Sequence, residues 1–453
     1  MNKVDQYQES AAIHNKAKVA ATASHSNDIK GLETKKLDSL SHDLKDCENG
    51  FITAEDDKGD SQPNQVMILL GLLRKLIGVR DIISLRISLP ASLLAPVGNL
   101  EYWNYMDRPD YFAVISDPEN PLDRMVNVVR WWFSKDLKYI TGKLIKPYNS
   151  ILGETFNCHW EVPRDHEQTQ PYSPNKSQKP ISVTCMNEQV ILNYQSNVAY
   201  QGKSHTKSHM CEEKGVVAKG IDHITARFSG TSFKVGPGDQ NFGIFVQLLN
   251  RDNELYRLTH PWASINGWLK ASLYATITEC SYMTCPKTKI KAIVEYKEEK
   301  WIGKPKFEIQ GAIFKYDPDN DNILKTKRVP AKDLLATIEG SWRTSIYVVY
   351  PDGQKQKLID LTSLSVADKI VRPIEEQDDT ESRRIWQAVT ESILAKDFNQ
   401  ATKHKQKIEE AQRVKAAERK AEGVEFVPQL FKLPVVDGQP ELTDKGREVL
   451  STL

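Results

Sequence analysis

Lys146-Pro147-Tyr148-Asn149-Ser150-Ile151-Leu152-Gly153-Glu154 is the stretch on which the reading of this chain turns. Pro147 fixes φ and removes a backbone donor, which biases Lys146 toward an extended conformation. Tyr148 joins an apolar ring to a polar tip, and the Asn149 amide can donate to an oxygen of a bound headgroup. Gly153 permits a tight path just before the strand-like Glu154-Thr155-Phe156-Asn157-Cys158-His159-Trp160. By residue chemistry alone two readings stand: a loop that grips a phosphate beside an apolar cavity, and a Pro-Asn turn with one solvated lysine. The turn is the better supported of the two.

Downstream of this stretch, from 156 to about 316, short runs recur at 228–235, 242–248, 256–258, 269–278 and 290–296. Lys291-Ala292-Ile293-Val294-Glu295-Tyr296 alternates, and Gly236-Pro237-Gly238 and Arg251-Asp252-Asn253 punctuate. Many strands at such spacing predict an antiparallel sandwich or barrel, to which 309–316 and 344–350 add. The last hundred residues revert to helix. One begins at Glu381-Ser382-Arg383-Arg384-Ile385-Trp386, and a second, charged nearly all round, runs from about Phe398 to Glu422 and stops at Gly423.

Upstream, Met125, Val128, Val129, Trp132 and Phe133 predict a helix over 122–137. Residues 66–78 are helical in composition and apolar on nearly every side until Arg74 and Lys75, so this helix must be buried or meet lipid. Residues 1–63 are polar, with Tyr7 and Phe51 their only aromatics, and are expected to be disordered.

The chain has 453 residues with 61 basic against 60 acidic side chains, so no global field argues for nucleic acid. Six scattered cysteines without a Cys-x-x-Cys pair read as reduced thiols. His205 and His209 have ligand-like spacing but sit among Ser, Thr and Lys in an expected loop, so no metal is assigned. There is no apolar segment of signal-peptide type and no run near the roughly 20 apolar residues that span a bilayer. A cytoplasmic protein with at most transient peripheral membrane contact is expected.

On the second terminal helix Lys405, Glu409 and Arg413 share one stripe, which by spacing alone reads as solvated ion pairs. As a whole string, however, 146–154 closely resembles the lipid-contacting signature of the oxysterol-binding protein family, whose members carry sterols, phosphatidylserine or phosphatidylinositol 4-phosphate between membranes. Lys405-Gln406-Lys407-Ile408-Glu409-Glu410-Ala411-Gln412-Arg413 resembles the family's Lys-x-x-x-Glu-x-x-x-Arg stripe, and Phe228-Ser229-Gly230-Thr231-Ser232-Phe233-Lys234-Val235-Gly236-Pro237 resembles a strand pair of its barrel. The likeness covers about 66–430.

The resemblance implies an α+β fold: a large, incompletely closed antiparallel β-barrel around a lipid tunnel, with an N-terminal lid and helices and C-terminal helices. It places the lipid-binding domain at 64–430, with the lid at about 65–79, a helical part at about 80–145, the barrel at about 146–350, terminal helices at about 360–423 and an extended tail at 431–453. Leu69, Leu72, Leu73 and Leu76 are the implied lid residues. Lys146, Asn149, Lys405, Glu409 and Arg413 are the implied headgroup site, with Lys405 and Arg413 as charge-assisted donors oriented by Glu409.

One departure weighs on that inference. The family motif Glu-Gln-Val-Ser-His-His-Pro-Pro survives here as Glu188, Gln189 and Val190, while Leu192 and Asn193 stand where the paired histidines are expected. In the family those imidazoles contact the 4-phosphate. Losing two hydrogen bonds to a charged phosphate costs on the order of 3 to 6 kcal/mol, so phosphatidylinositol 4-phosphate is in doubt as cargo while an apolar lipid is unaffected.

Phe51-Ile52-Thr53-Ala54-Glu55-Asp56, behind Asp43, Asp46 and Glu48, resembles an acidic motif that docks on endoplasmic-reticulum receptors, although a plain acidic linker is the better-supported reading. No Gly-x-Ser-x-Gly elbow, Walker loop, dinucleotide fingerprint or His-Glu-x-x-His is found, so neither an enzyme nor a cofactor is expected. Two readings of the function stand: a carrier of a sterol-like lipid or of another such as phosphatidylserine, and a lipid-responsive sensor that binds without efficient transfer.

Overall fold

The computed structural model describes residues 51–53, 86–88, 91–141, 145–164, 179–191, 203–229, 232–266, 274–299 and 305–453, in two units. In one, β1 (Phe51–Thr53) pairs in parallel with β2 (Arg86–Ser88). The expected lid leucines Leu69, Leu72, Leu73 and Leu76 lie outside the described residues, as do Leu192 and Asn193.

In the other unit β3 (Leu94–Gly98) leads into α1 (Asn99–Tyr102), α2 (Pro109–Ala113), α3 (Pro121–Ser134) and α4 (Lys138–Thr141). The Asn120 side chain caps α3 by accepting from the Leu122 amide at 3.0 Å, and Pro121 stands where a missing N–H costs nothing. From Arg124 to Ser134 the helix is buried all round, so its polar side chains need partners inside the protein. Arg124 pairs with Glu254, and Arg130 Nε donates to the Leu358 carbonyl at 3.0 Å.

Those two partners sit on different strands of one 15-stranded antiparallel sheet. After β4 (Lys146–Tyr148) come β5 (Thr155–Val162), β6 (Ile181–Ile191), β7 (Lys203–Cys211), β8 (Val216–Ser229), β9 (Ser232–Pro237), β10 (Ile244–Leu248) and β11 (Glu254–Leu258). They are followed by β12 (Trp262–Asn266), β13 (Tyr274–Thr278), β14 (Cys280–Cys285), β15 (Ile290–Tyr296), β16 (Glu308–Lys315), β17 (Leu334–Ser341), β18 (Ser345–Val349) and β19 (Lys355–Asp360). The order is β13-β12-β9-β8-β10-β11-β14-β15-β16-β17-β18-β19, with β7, β6 and β5 branching from β8. Among the described residues no pairing joins the sheet's ends, so the barrel is incompletely closed. One core cluster unites Leu100, Phe112, Val128 and Trp131 of the helices with residues from β5 through β19. The helices thus share one hydrophobic core with strands across the sheet.

Three expectations need correction. Lys146–Tyr148 belongs to a separate parallel pair with β3, so the barrel sheet starts at Thr155; it also runs past 350 to Asp360. His205 and His209, expected in a loop, lie in strand β7, whose Lys207 finds a buried partner in Asp222 on the neighbouring β8. The tail is not extended: bridges Phe431↔Leu442 and Val436↔Gln439 precede a helix, Asp444–Ser451.

Before that last helix lie α5 (Ser382–Ile385), α6 (Gln387–Leu394) and α7 (Phe398–Glu422), which makes Asp444–Ser451 α8. Thr443 caps α8, and Val449, Leu450 and Leu453 pack on Met186, Leu430 and Phe431. Asp397 caps α7 by accepting from the Gln400 amide at 2.9 Å, and Gly423 ends it at φ +66, a left-handed conformation that suits glycine.

Candidate functional site

The 146–154 segment is held at both ends by the backbone. β4 pairs with β3, and at the other end the Gly153 amide donates to the Gln189 carbonyl at 2.9 Å while the Gln189 amide donates to the Glu154 carbonyl at 2.8 Å. The signature loop and the Glu-Gln-Val remnant are thus adjacent. Tyr148 is fully buried, its ring stacked on Trp386 at 4.9 Å and its hydroxyl 3.0 Å from Thr390 Oγ1. Lys146 and Asn149 stay near the surface, with Lys146 Nζ donating to Asn149 Oδ1 at 2.6 Å and to the Pro147 carbonyl at 2.9 Å. Gly153 adopts φ +80, and a β-carbon there would lie 3.2 Å from the Phe426 ring.

α7 packs on this loop. Ala401 and Ile408 share a core cluster with Tyr148, Ile151, Trp386 and Val389, and Gln412 Nε2 donates to the Leu152 carbonyl at 3.0 Å. Lys405 is 4% exposed on a helix that is otherwise mostly open to solvent, with its ammonium 2.9 Å from Glu409 Oε1. Arg413 Nη2 lies 2.7 Å from Glu410 Oε2. Lys405 thus pairs with Glu409, and Arg413 pairs with Glu410. Two stretches some 250 residues apart in sequence thus meet where Gln412 reaches Leu152.

Glu188 and Val190 face elsewhere. The Glu188 carboxylate is fully buried and accepts from the Gln429 and Leu430 amides at 2.7 and 2.8 Å. Burial pushes its carboxyl up, against the pull of those amides. Val190 packs with Ile221 and Val435. Gln189 Nε2 donates to the Val190 and Ser204 carbonyls, both at 3.2 Å. In this chain the remnant of the motif anchors the C-terminal segment.

Two groups of residues were not singled out from the sequence. Glu154 is fully buried: Oε2 accepts from the Ile151 amide at 2.9 Å and from Trp386 Nε1 at 3.1 Å, and Oε1 accepts from Ser382 Oγ at 2.7 Å. Inside the curve of the sheet, buried Lys207 pairs with Asp222 and donates to the Trp103 carbonyl, with its ammonium 4.0 Å from the Tyr105 ring centre. The Tyr105 hydroxyl donates to Asp222 Oδ1 at 2.5 Å, holding a φ of +62 that aromatic residues rarely adopt. Burial alone would raise the Asp222 carboxyl, but Lys207 together with the Tyr105 hydroxyl and His260 outweighs it and holds it at about 2. Burial, with the Lys135 ammonium, pushes His260 down to about 4, so its imidazole is neutral.

Among the described residues no group of His, Cys, Asp or Glu suits a metal ion, and no helix is long and apolar enough to cross a membrane.

A family model described as oxysterol-binding protein matches residues 68–396. The chain belongs to the oxysterol-binding protein family. It is 37% identical over 463 residues to Oxysterol-binding protein-like protein 1 of Schizosaccharomyces pombe, covering 84% of this chain and 90% of that protein. It is 30% identical over 435 residues to Oxysterol-binding protein-related protein 9 of Homo sapiens, covering 92% of this chain and 54% of that protein, so it spans about half of that relative's length. The fold matches the Osh1 ORD domain in complex with ergosterol at a TM-score of 0.61 and 15% identity, over 88% of this chain and 90% of that one. It matches the Osh3 ORD in complex with PI(4)P from Saccharomyces cerevisiae at a TM-score of 0.59 and 14% identity, over 85% and 94%. At these identities the likeness speaks to fold.

Proposed function

We propose that this member of the oxysterol-binding protein family holds one sterol-like lipid within the curve of its sheet and moves it between membranes. The reading rests on the seating of α7 on the 146–154 loop, through Ala401, Ile408 and Gln412. In this reading Lys146 and Asn149 of the loop and Lys405, Glu409 and Arg413 of α7 form a single headgroup site. The solved complexes of relatives with ergosterol and with PI(4)P support both kinds of cargo.

Carriage needs no acid, base or nucleophile. Burying a sterol-sized body removes several hundred Å² of apolar surface from water, on the order of 10 kcal/mol before ordering costs. Leu192 and Asn193 in place of paired histidines weaken recognition of phosphatidylinositol 4-phosphate, leaving Lys146, Lys405 and Arg413 to hold an anionic headgroup. In this reading the protein works in the cytoplasm with transient membrane contact.

The double variant Lys146→Glu with Arg413→Glu tests the headgroup assignment. Phosphatidylinositol 4-phosphate extraction from vesicles is expected to disappear while fluorescent sterol uptake persists. Normal phosphoinositide extraction by the double variant refutes the assignment.

A further inference from the structure

We infer that Glu154 is the positioning residue of the headgroup site, fixing the angle at which the lysine loop meets the terminal helices; the inference rests on the reading of Lys146 given above. Three donors from three places converge on this one buried carboxylate: the Ile151 amide of the loop, Ser382 Oγ at the start of α5, and Trp386 Nε1 between α5 and α6. Loop and helices are thereby bolted together at a point no solvent reaches. The same indole stacks on Tyr148, which stands between Lys146 and Asn149 in the chain. α6 leads within three residues into α7 with its Lys405. A shift of Glu154 would therefore rotate the loop half of the site against the helix half.

The surroundings are built to this shape. A β-carbon on Gly98 would lie 2.3 Å from Ser382 Oγ and 3.4 Å from Glu154 Oε1, so β3 can approach the carboxylate only as glycine. The Glu154 amide closes a turn on the Ile151 carbonyl at 3.1 Å, and its carbonyl accepts from the Gln189 amide, which fixes the backbone from which the side chain starts. A glutamine would keep the shape, but its amide nitrogen would offer a donor where a donor already stands. Two residues on opposite halves of a site must be held to a fraction of an ångström for both to reach one phosphate, and that is the work assigned to Glu154.

The test is a double-mutant cycle with Lys146→Ala and Glu154→Gln in the full chain. It is read as extraction of phosphatidylinositol 4-phosphate from phosphatidylcholine vesicles, beside uptake of a fluorescent sterol. Glu154→Gln alone is expected to weaken phosphoinositide extraction by about tenfold, with sterol uptake per folded molecule unchanged, and to add nothing further in the Lys146→Ala background. Trp386→Phe, which keeps an aromatic ring beside Tyr148 while removing the indole N–H and part of the ring's volume, is expected to show the same selective loss. Equal losses for the two lipids, or additive effects of the two substitutions, overturn the inference and leave Glu154 a purely structural residue. If the unmodified chain extracts no phosphoinositide, or Lys146→Ala leaves that extraction intact, the headgroup assignment has failed and this inference falls with it. An effect of Lys146→Ala with none from Glu154→Gln or Trp386→Phe sinks the positioning role alone.

Discussion

Asp222→Asn removes the negative member of the ion pair inside the sheet and leaves the Lys207 ammonium buried without its counter-charge. The Asp222 carboxyl at about 2, against an ordinary 3.8, means the folded environment favours its charged form by roughly 2 to 3 kcal/mol. Stranding a buried cation costs more than that single preference, typically about 3 to 5 kcal/mol. The Tyr105 hydroxyl also loses a carboxylate acceptor, and with it part of what holds its left-handed backbone. Because the folded-state value is depressed, the pair stabilises the fold fully above about pH 4, and the benefit fades as pH falls through about 2. Urea unfolding followed by the fluorescence of the nine tryptophans measures the loss. Replacing both members, Lys207→Met with Asp222→Leu, is expected to cost less than Asp222→Asn alone, since no charge is then left unpaired. A single-variant loss under about 1 kcal/mol, or a double variant worse than the sum of the singles, would refute the reasoning.

Three further outcomes are expected. His260, pushed down to about 4 from an ordinary 6.5, stays neutral in the fold while the unfolded chain takes up a proton. Stability should therefore decline as pH drops from 6.5 toward 4, by on the order of 3 kcal/mol, and a thermal-unfolding series of His260→Gln should be flatter over that window. Gly98→Ala should destabilise by about 1 to 3 kcal/mol in the same urea assay, because the new methyl meets Ser382 Oγ; a neutral result would show that β3 can draw back. Truncation after Val427 should cost several kcal/mol by calorimetry, since it strips the buried Glu188 carboxylate of its two amide donors and uncovers Met186, Val190 and Ile221.

What the sequence disclosed follows the range of the interactions involved. α7 was readable to the residue because its cap at Asp397, its length and its stop at Gly423 are all local. β15 was readable because alternation in Lys291-Ala292-Ile293-Val294-Glu295-Tyr296 survives burial. The adjacency of the 146–154 loop and the 405–413 stripe came from resemblance; nothing in either segment alone requires the other. β7 was missed because its charges looked solvated, and the partners that hide them, Asp222 and the Trp103 carbonyl, lie outside the strand. Glu154 was invisible for a similar reason: two of its three donors are more than 220 residues away. α8 was concealed by Pro434, Gly438 and Pro440, which read as breakers although the residues beyond them have a capping threonine and an apolar face.

Native mass spectrometry of the full chain, after incubation with sterol-containing phosphatidylcholine vesicles and removal of the vesicles, examines lipid carriage itself. The expected spectrum carries a single added mass of one sterol per chain, lost on transfer to sterol-free acceptor vesicles. A chain that emerges without adduct, under conditions where its fold is intact, would contradict lipid binding within the sheet.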